Sequence, residues 1–262
     1  MPEGDTIHRT ASRLREVMAS KEILVAESTR PEVQLDSVVG ARVRDVEARG
    51  KNLLLHFDNG CVLYSHMRMT GSWHVYRRGE KWQRPYQQLD VRLDNDAWSA
   101  LCFNAPVVEL LSDFSFRQHP VLRRLGPDLL AESPDFDEIL RRARQRNDRT
   151  LGELVMAQDV ACGIGNVYKS ETLFLEGLSP FSPVSSIDDG RLVAFFRRAR
   201  SLMKRNLRGE PRTTRTSGGG RLWVYGRANE ACHRCGSKIL MKRQGEAARS
   251  SYWCPSCQPG TR

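Results

Sequence analysis

The chain predicts an α+β protein. An N-terminal β-sandwich or flattened barrel is led by one α-helix, and a helical C-terminal part ends in a four-cysteine ribbon. Three observations carry this expectation. Apolar strand-like runs, joined by turn residues, fill the first hundred positions. From about residue 136 the apolar residues recur three and four apart, the spacing of one helix face. Near the end, Cys232-x2-Cys235 and Cys254-x2-Cys257 are separated by eighteen residues, the spacing of a zinc site.

The bulk numbers narrow the class. The 262 residues, 40% hydrophobic and 27% charged, suit one large domain or two to three small ones. No run of 18 apolar residues occurs, which predicts no membrane-spanning helix. The start lacks an apolar leader, so the expected location is the cytoplasm. The formal net charge is +10, with arginines clustered at Arg141-Arg142-Ala143-Arg144 and Arg197-Arg198-Ala199-Arg200. Such a balance favours a polyanion, nucleic acid above all; with no spanning run, no membrane partner is expected.

The leading helix follows Met1-Pro2-Glu3-Gly4. Asp5 or Thr6 is its expected cap, and Ile7, Ala11, Leu14 and Val17 form its apolar stripe. With Met1 removed, Pro2 carries a free secondary amine, which can attack a carbonyl carbon and form a Schiff base. Glu3 beside it can move protons. The helix would anchor an end that otherwise frays.

The strand region starts at Ile23-Leu24-Val25. Asn52 to Phe57 and Cys61 to Tyr64 flank Asp58-Asn59-Gly60, a hairpin signal. Leu89, Val91 and Leu93 alternate with polar residues, Asp94-Asn95-Asp96 turns the chain, and Trp98 to Phe103 continues it. Gly50-Lys51 places a lysine at a strand mouth. His66-Met67-Arg68-Met69-Thr70-Gly71 is a loop whose apolar tip can wedge between bases. Both methionines also suit a core.

Pro120, Pro127 and Pro134, with Gly126 and Ser133, mark 113–135 as a linker. The expected domains are 1–115, a linker at 116–135, 136–226 and 227–262. Thr150 is a plausible helix cap. In Gly163-Ile164-Gly165-Asn166-Val167-Tyr168-Lys169, two glycines break one helix and Asn166 begins another. Backbone N–H groups there make an anion site, with Asn166, Tyr168 and Lys169 read as exposed candidate contacts. A long helix follows from about Asp188 to Leu207. Then comes a Gly-, Thr- and Arg-rich stretch, Gly209 to Gly220, read as a mobile basic loop carrying Arg212 and Arg215.

Four thiolates at the terminal spacing form a closed tetrahedral site for one structural Zn2+, with His233 the competing ligand. Cys61, Cys102 and Cys162 read as buried small hydrophobes. Ile239-Leu240-Met241 and Ser250 to Trp253 form the ribbon strands, and Arg249 stands near their turn, presented to an anion.

Pro2-Glu3-Gly4, Gly50-Lys51, Gly163 to Tyr168, Val224-Tyr225-Gly226-Arg227 and the ribbon ending Tyr252-Trp253-Cys254-Pro255-Ser256-Cys257-Gln258 occur in this order over nearly the whole chain. Together they resemble the formamidopyrimidine-DNA glycosylase and endonuclease VIII family of base-excision repair enzymes. The resemblance implies a helix–two-turn–helix DNA-binding domain around Gly163 to Tyr168. It implies Pro2 as nucleophile on C1′, Glu3 as general acid/base and Lys51 as proton-transfer helper and phosphate contact. It also implies Arg249 as a phosphate contact that assists elimination, and Asn166 as a backbone-phosphate contact. Arg68 and Met69 would fill the space of a base flipped out of the duplex. No nucleotide cofactor is required. The partner is damaged DNA, double- or single-stranded, and one amine per chain suggests a monomer.

Within the family, Pro2-Glu3-Gly4-Asp5 resembles the endonuclease VIII branch, which prefers oxidised pyrimidines. Leu101-Cys102-Phe103-Asn104 departs from the Arg-Arg-Phe-Gly of the 8-oxoguanine branch. Yet Arg68-Met69-Thr70 stands where endonuclease VIII has Gln-Leu-Tyr, and Met69 is the residue of the other branch. The competing readings are an 8-oxoguanine-preferring enzyme of this family and a non-catalytic zinc-ribbon DNA-binding protein. A ribosome-associated RNA binder leaves the β domain unexplained.

Overall fold

The computed structural model describes residues 2–208, 211–216 and 219–260. The chain divides into two compact units, Met1–Arg123 and Arg124–Arg262. Removal of Met1, and part of the expected loop from Gly209 to Gly220, lie outside the described residues.

The first unit is a sandwich of two four-stranded antiparallel sheets with a helix, α1 (Gly4–Met18), packed on it. Its strands are β1 (Val25–Ser28), β2 (Val43–Arg49), β3 (Asn52–Phe57), β4 (Val62–His66), β5 (Ser72–Arg77), β6 (Leu89–Asp94), β7 (Trp98–Phe103) and β8 (Val107–Leu111). One sheet runs β2-β3-β4-β8 and the other β1-β6-β7-β5. The stripe Ile7, Ala11, Leu14, Val17 and Met18 joins Val46, Leu53, Leu55, Leu63, Val91, Leu93 and Cys102 in one core. Burying such side chains contributes about 1.5–3 kcal/mol each. The Asn95 side chain, in the β6–β7 turn, donates to the Val17 carbonyl at 2.8 Å, fixing the end of α1.

Several local expectations need correction. The N-cap of α1 is Glu3, not Asp5 or Thr6, and Glu3 makes no side-chain capping bond. Asp5 instead lies buried in the first turn, where a carboxylate favours the positive helix end. The run Ile23-Leu24-Val25 contributes only Val25 to a strand. Strands β2, β5 and β8 carry charged or aromatic residues on their open faces and lack a clean apolar alternation. The stretch read as a linker begins with a helix, α2 (Asp113–Gln118), capped by the Ser112 hydroxyl, which accepts the Ser115 N–H at 3.1 Å. Cys102 and Cys162 are buried, but Cys61 is only partly so and faces the Ser37 hydroxyl at 3.9 Å.

The second unit contains α3 (Phe136–Arg144), α4 (Leu151–Leu154), α5 (Asn166–Leu175), α6 (Asp189–Arg205) and the hairpin β9 (Leu240–Gln244) and β10 (Arg249–Trp253). Thr150 and Glu153 form a capping box on α4. Asp188 caps α6 through the Arg191 N–H at 2.8 Å. Leu151, Leu154, Ile164, Tyr168, Leu192, Phe195 and Phe196 share the core. Helices and ribbon form one compact unit.

Candidate active site and nucleic-acid interface

In the first unit, the end expected to be reactive leads into the start of a helix. Pro2 precedes Glu3, whose carbonyl accepts the N–H groups of Thr6 at 2.9 Å and Ile7 at 3.2 Å. The Glu3 side chain is fully buried. A carboxylate in the residue next to the Pro2 nitrogen is of the type that serves as a general acid or base.

Lys51 follows Gly50 in the two-residue turn between β2 and β3. Gly50 has φ +60°, a conformation that glycine adopts without strain. Asn52 braces this turn by donating to the Arg49 carbonyl at 2.9 Å and accepting from the Tyr64 hydroxyl at 3.0 Å.

His66, at the end of β4, links the turn to the expected wedge. Its pKa is pushed down to about 4, first by burial and then by the positive charges of Lys51 and Arg68. Its Nδ1 accepts the Arg68 N–H at 3.2 Å, as a neutral ring can. The sequence reading did not single out His66. Its signal was the lysine turn and the wedge arginine meeting at one strand end, which needs the sheet pairing.

The loop expected to act as a wedge splits its two methionines. Met67 is 2% exposed and belongs to the core, whereas Met69 is 69% exposed. The loop closes through the Gly71 N–H, which donates to the Met67 carbonyl at 2.8 Å. A Cβ at Gly71 would lie 2.8 Å from the Cα atoms of Ala105 and Met67, so only glycine fits there.

In the second unit, Gly165 is the N-cap of α5 and Asn166 its first residue. The expectation of an exposed Asn-Val-Tyr-Lys face is wrong: Tyr168 and Lys169 have no exposure, and Asn166 has 7%. Tyr168 belongs to the helical core, and Arg212 lies over its ring at 5.0 Å. What α5 can present to an anion is its N-terminal backbone, together with Asn166. The Asn166 Nδ2 is 3.5 Å from the Ser250 hydroxyl, next to Arg249 on β10. Its buried Oδ1 has no hydrogen-bond donor among the described residues.

Arg249 pairs with Gln244 at the turn end of the hairpin. Gln244 donates to the Thr150 hydroxyl at 3.0 Å and the Pro180 carbonyl at 2.9 Å, and accepts from Ser251 at 2.6 Å. Arg249, Gln244 and Lys169 line one cavity of about 190 Å³. Gln258 ties the ribbon's far end by accepting the Cys254 N–H at 3.0 Å and donating to the Leu178 carbonyl at 2.8 Å.

Glu171 is a further anchor that the sequence did not reveal. Fully buried, it accepts the Trp223, Val224 and Tyr225 N–H groups at 2.7 to 2.8 Å and the Thr214 hydroxyl. Burial raises its pKa above the ordinary carboxylate value, against the lowering effect of those donors. Both ends of the 214–223 segment thus rest on one carboxylate. Asn206 adds bonds to both backbone groups of Thr213 at 2.8 Å. Within the expected basic loop, the stretch 211–216 is therefore tethered at Thr213 and Thr214.

Cys232, Cys235, Cys254 and Cys257 place their sulfurs within 4.8 Å of one another, and His233 is outside this group. Tetrahedral zinc–thiolate bonds of about 2.3 Å require sulfur separations of roughly 3.8 Å. The cluster has 3.9 Å between Cys232 and Cys257 and 3.4 Å between Cys235 and Cys254. These donors fit a zinc ion.

Three family models match in succession: the formamidopyrimidine-DNA glycosylase N-terminal domain over 1–106, its H2TH domain over 125–217, and the zinc finger found in FPG and IleRS over 229–260. A probable endonuclease 8 2 of Streptomyces coelicolor is 36% identical across 99% of this chain and 95% of its own length. The chain belongs to the formamidopyrimidine-DNA glycosylase and endonuclease VIII family. The DNA-(apurinic or apyrimidinic site) lyase Nei2 of Mycolicibacterium smegmatis is 34% identical over 98% of this chain and 99% of that protein. In fold, the chain matches the Lactococcus lactis Fpg (MutM) structure, in complex with N7-benzyl-Fapy-dG-containing DNA, with a TM-score of 0.82. That likeness covers 98% of this chain and 100% of that one at 20% identity. No helix among the described residues is long and apolar enough to cross a membrane.

Proposed function

We propose that this protein is a bifunctional DNA glycosylase and apurinic/apyrimidinic lyase that removes oxidised bases, pyrimidines preferred, through a Schiff base on Pro2. The observation that carries this reading is the buried Glu3 carboxylate beside Pro2 at the anchored start of α1. Its relatives named endonuclease 8 and apurinic/apyrimidinic lyase add support.

The Pro2 amine attacks C1′ of a flipped nucleotide and the base departs, with Glu3 handling the proton. The resulting iminium acidifies C2′–H, so the 3′ phosphate leaves by β-elimination. A second, δ-elimination releases the 5′ phosphate. Lys51 contacts the phosphate beside the lesion, and its charge helps to keep the amine unprotonated. Asn166 and Arg249 take backbone phosphates. Met69 fills the vacated stack, with Arg68 beside it. One zinc ion, held by the four cysteines, keeps the hairpin of Arg249 in shape. The enzyme acts as a monomer.

Borohydride trapping on abasic-site DNA tests the chemistry. Wild type yields a covalent adduct, and Pro2→Gly yields none. Absence of an adduct with an intact Pro2 amine would reject the reading. A cleavage panel of thymine glycol, 5-hydroxyuracil, dihydrouracil and 8-oxoguanine opposite cytosine tests the lesion class. The pyrimidine lesions are expected to react fastest, and a lead for 8-oxoguanine reverses the preference.

A further inference from the structure

The loop between β5 and β6 has an architecture that the chemistry above does not use. Trp82 packs against Tyr76, Leu89, Leu101 and Phe103, the aromatic cluster on one face of the β1-β6-β7-β5 sheet. The Tyr86 ring lies over Trp82, nearly parallel at 17° with centroids 6.4 Å apart. Tyr86 is itself 58% exposed. Pro85 precedes it, and a short 3-10 turn from Tyr86 to Gln88 holds it, so its backbone has little freedom to lose. The Tyr76 hydroxyl accepts the Gln83 N–H at 3.1 Å, fixing the middle of the loop.

The loop also joins the wedge. Asn104 donates its backbone N–H to the Gln88 carbonyl at 3.0 Å and its side chain to Gln88 Oε1 at 3.2 Å. The Asn104 carbonyl accepts the Thr70 hydroxyl at 2.9 Å. Arg84 reaches the same Gln88 oxygen at 3.3 Å. Thr70 is the immediate neighbour of Met69, so two exposed apolar side chains, Met69 and Tyr86, are bracketed by one asparagine. Around Tyr86 the loop carries Arg78, Lys81 and Arg84. Its one acid, Glu80, is engaged by the Arg77 N–H at 2.9 Å.

A lone exposed tyrosine on a turn needs no explanation. A rigid tyrosine backed by a second aromatic ring, flanked by cations and fixed to a wedge loop is the composition of a base-stacking platform. We infer that the Trp82–Tyr86 ledge is a second nucleic-acid contact beside the wedge. The open face of Tyr86 stacks on an unpaired base, and Lys81 and Arg84 take flanking phosphates. This rests on the reading of the protein as a DNA glycosylase.

Fluorescence anisotropy at fixed salt tests it, using an oligonucleotide with a tetrahydrofuran abasic analogue, as duplex and as single strand. Tyr86→Ala is expected to weaken binding by roughly five-fold or more, the scale of one lost base stack. Tyr86→Phe, which keeps the ring, should stay within two-fold of wild type. The Lys81→Ala/Arg84→Ala double variant should flatten the dependence of log K on log salt by about one to two units. Tyr86→Ala binding both probes within two-fold of wild type would overturn the stacking contact. An unchanged salt slope would overturn the phosphate contacts. Borohydride trapping by wild type is read separately, so a failed glycosylase reading is distinguishable from a failed ledge.

Discussion

The two units hold their functional groups by different means. In the first, the backbone ladders of a sandwich fix the frame, and the groups proposed to react or to contact DNA sit at its interruptions: the start of α1, the Gly50–Lys51 turn and the loop of Met69. In the second, buried polar side chains do the fixing. Glu171 holds one segment, and Gln244 and Gln258 bolt the ribbon to the helices. A side-chain change in the first unit should therefore remove chemistry and leave the fold. The same change in the second should loosen the fold on which binding depends.

The strongest test of this contrast is Glu3→Gln, which should slow base release by roughly 10²–10⁴-fold, the usual worth of a placed acid/base group. The thermal midpoint should move little, because the substitution conserves the shape and volume of the buried side chain. Single-turnover kinetics and a melting curve check both. Metal removal is the counterpart. A two-stranded hairpin is marginal alone, so chelation should disorder the ribbon and lower DNA affinity by about 100-fold or more. The β signal of the first unit should persist. Loss of that signal would show that the units are not independent.

Glu171→Ala comes next. It leaves three backbone N–H groups and a hydroxyl without their acceptor and should cost about 3 kcal/mol, measured by denaturant titration.

The pH responses sharpen the comparison, because the two units differ in sign. The Glu171 pKa is raised in the folded state, so its contribution is complete below the ordinary carboxylate value and fades as pH rises through the folded one. The stability advantage of wild type over Glu171→Gln should therefore shrink as pH rises. The His66 pKa is lowered to about 4, so the first unit keeps that contribution above about 6.5 and loses it as pH falls toward 4. The smallest expected effect is local. Lys51→Met removes one of the positive charges on His66, and NMR titration should show the His66 pKa rising. No rise would mean that burial and Arg68 set it without Lys51.

Much of this was legible beforehand, for reasons that differ by element. The stripe of α1, the Asn59-Gly60 hairpin and the cysteine pairs are local patterns, and local patterns survive folding. The buried Tyr168 and Lys169 show the limit. A polar, aromatic run after two glycines looks like surface, and only the packing of α5 shows that it is interior. Glu171 and Gln244 were invisible because their partners lie some fifty to ninety positions away in the chain. The split between Met67 and Met69 was equally hidden, since it depends on the closed turn at Gly71.

The hairpin of Arg249 also sets a rule about length. Gln244, Arg249 and Ser251 share one face of the ribbon, because Arg249 pairs with Gln244 and Ser251 lies two residues on. The turn between them, from Gly245 at φ +66° to Ala248 at φ +47°, is four residues. Its middle residues, Glu246 and Ala247, are exposed and free to vary in kind. What is not free is the pairing it closes, since a one-residue slip between β9 and β10 would turn either Arg249 or the Gln244 bolt to the opposite face. In related chains this turn should accumulate substitutions freely and vary in length only where the pairing of these two positions is kept.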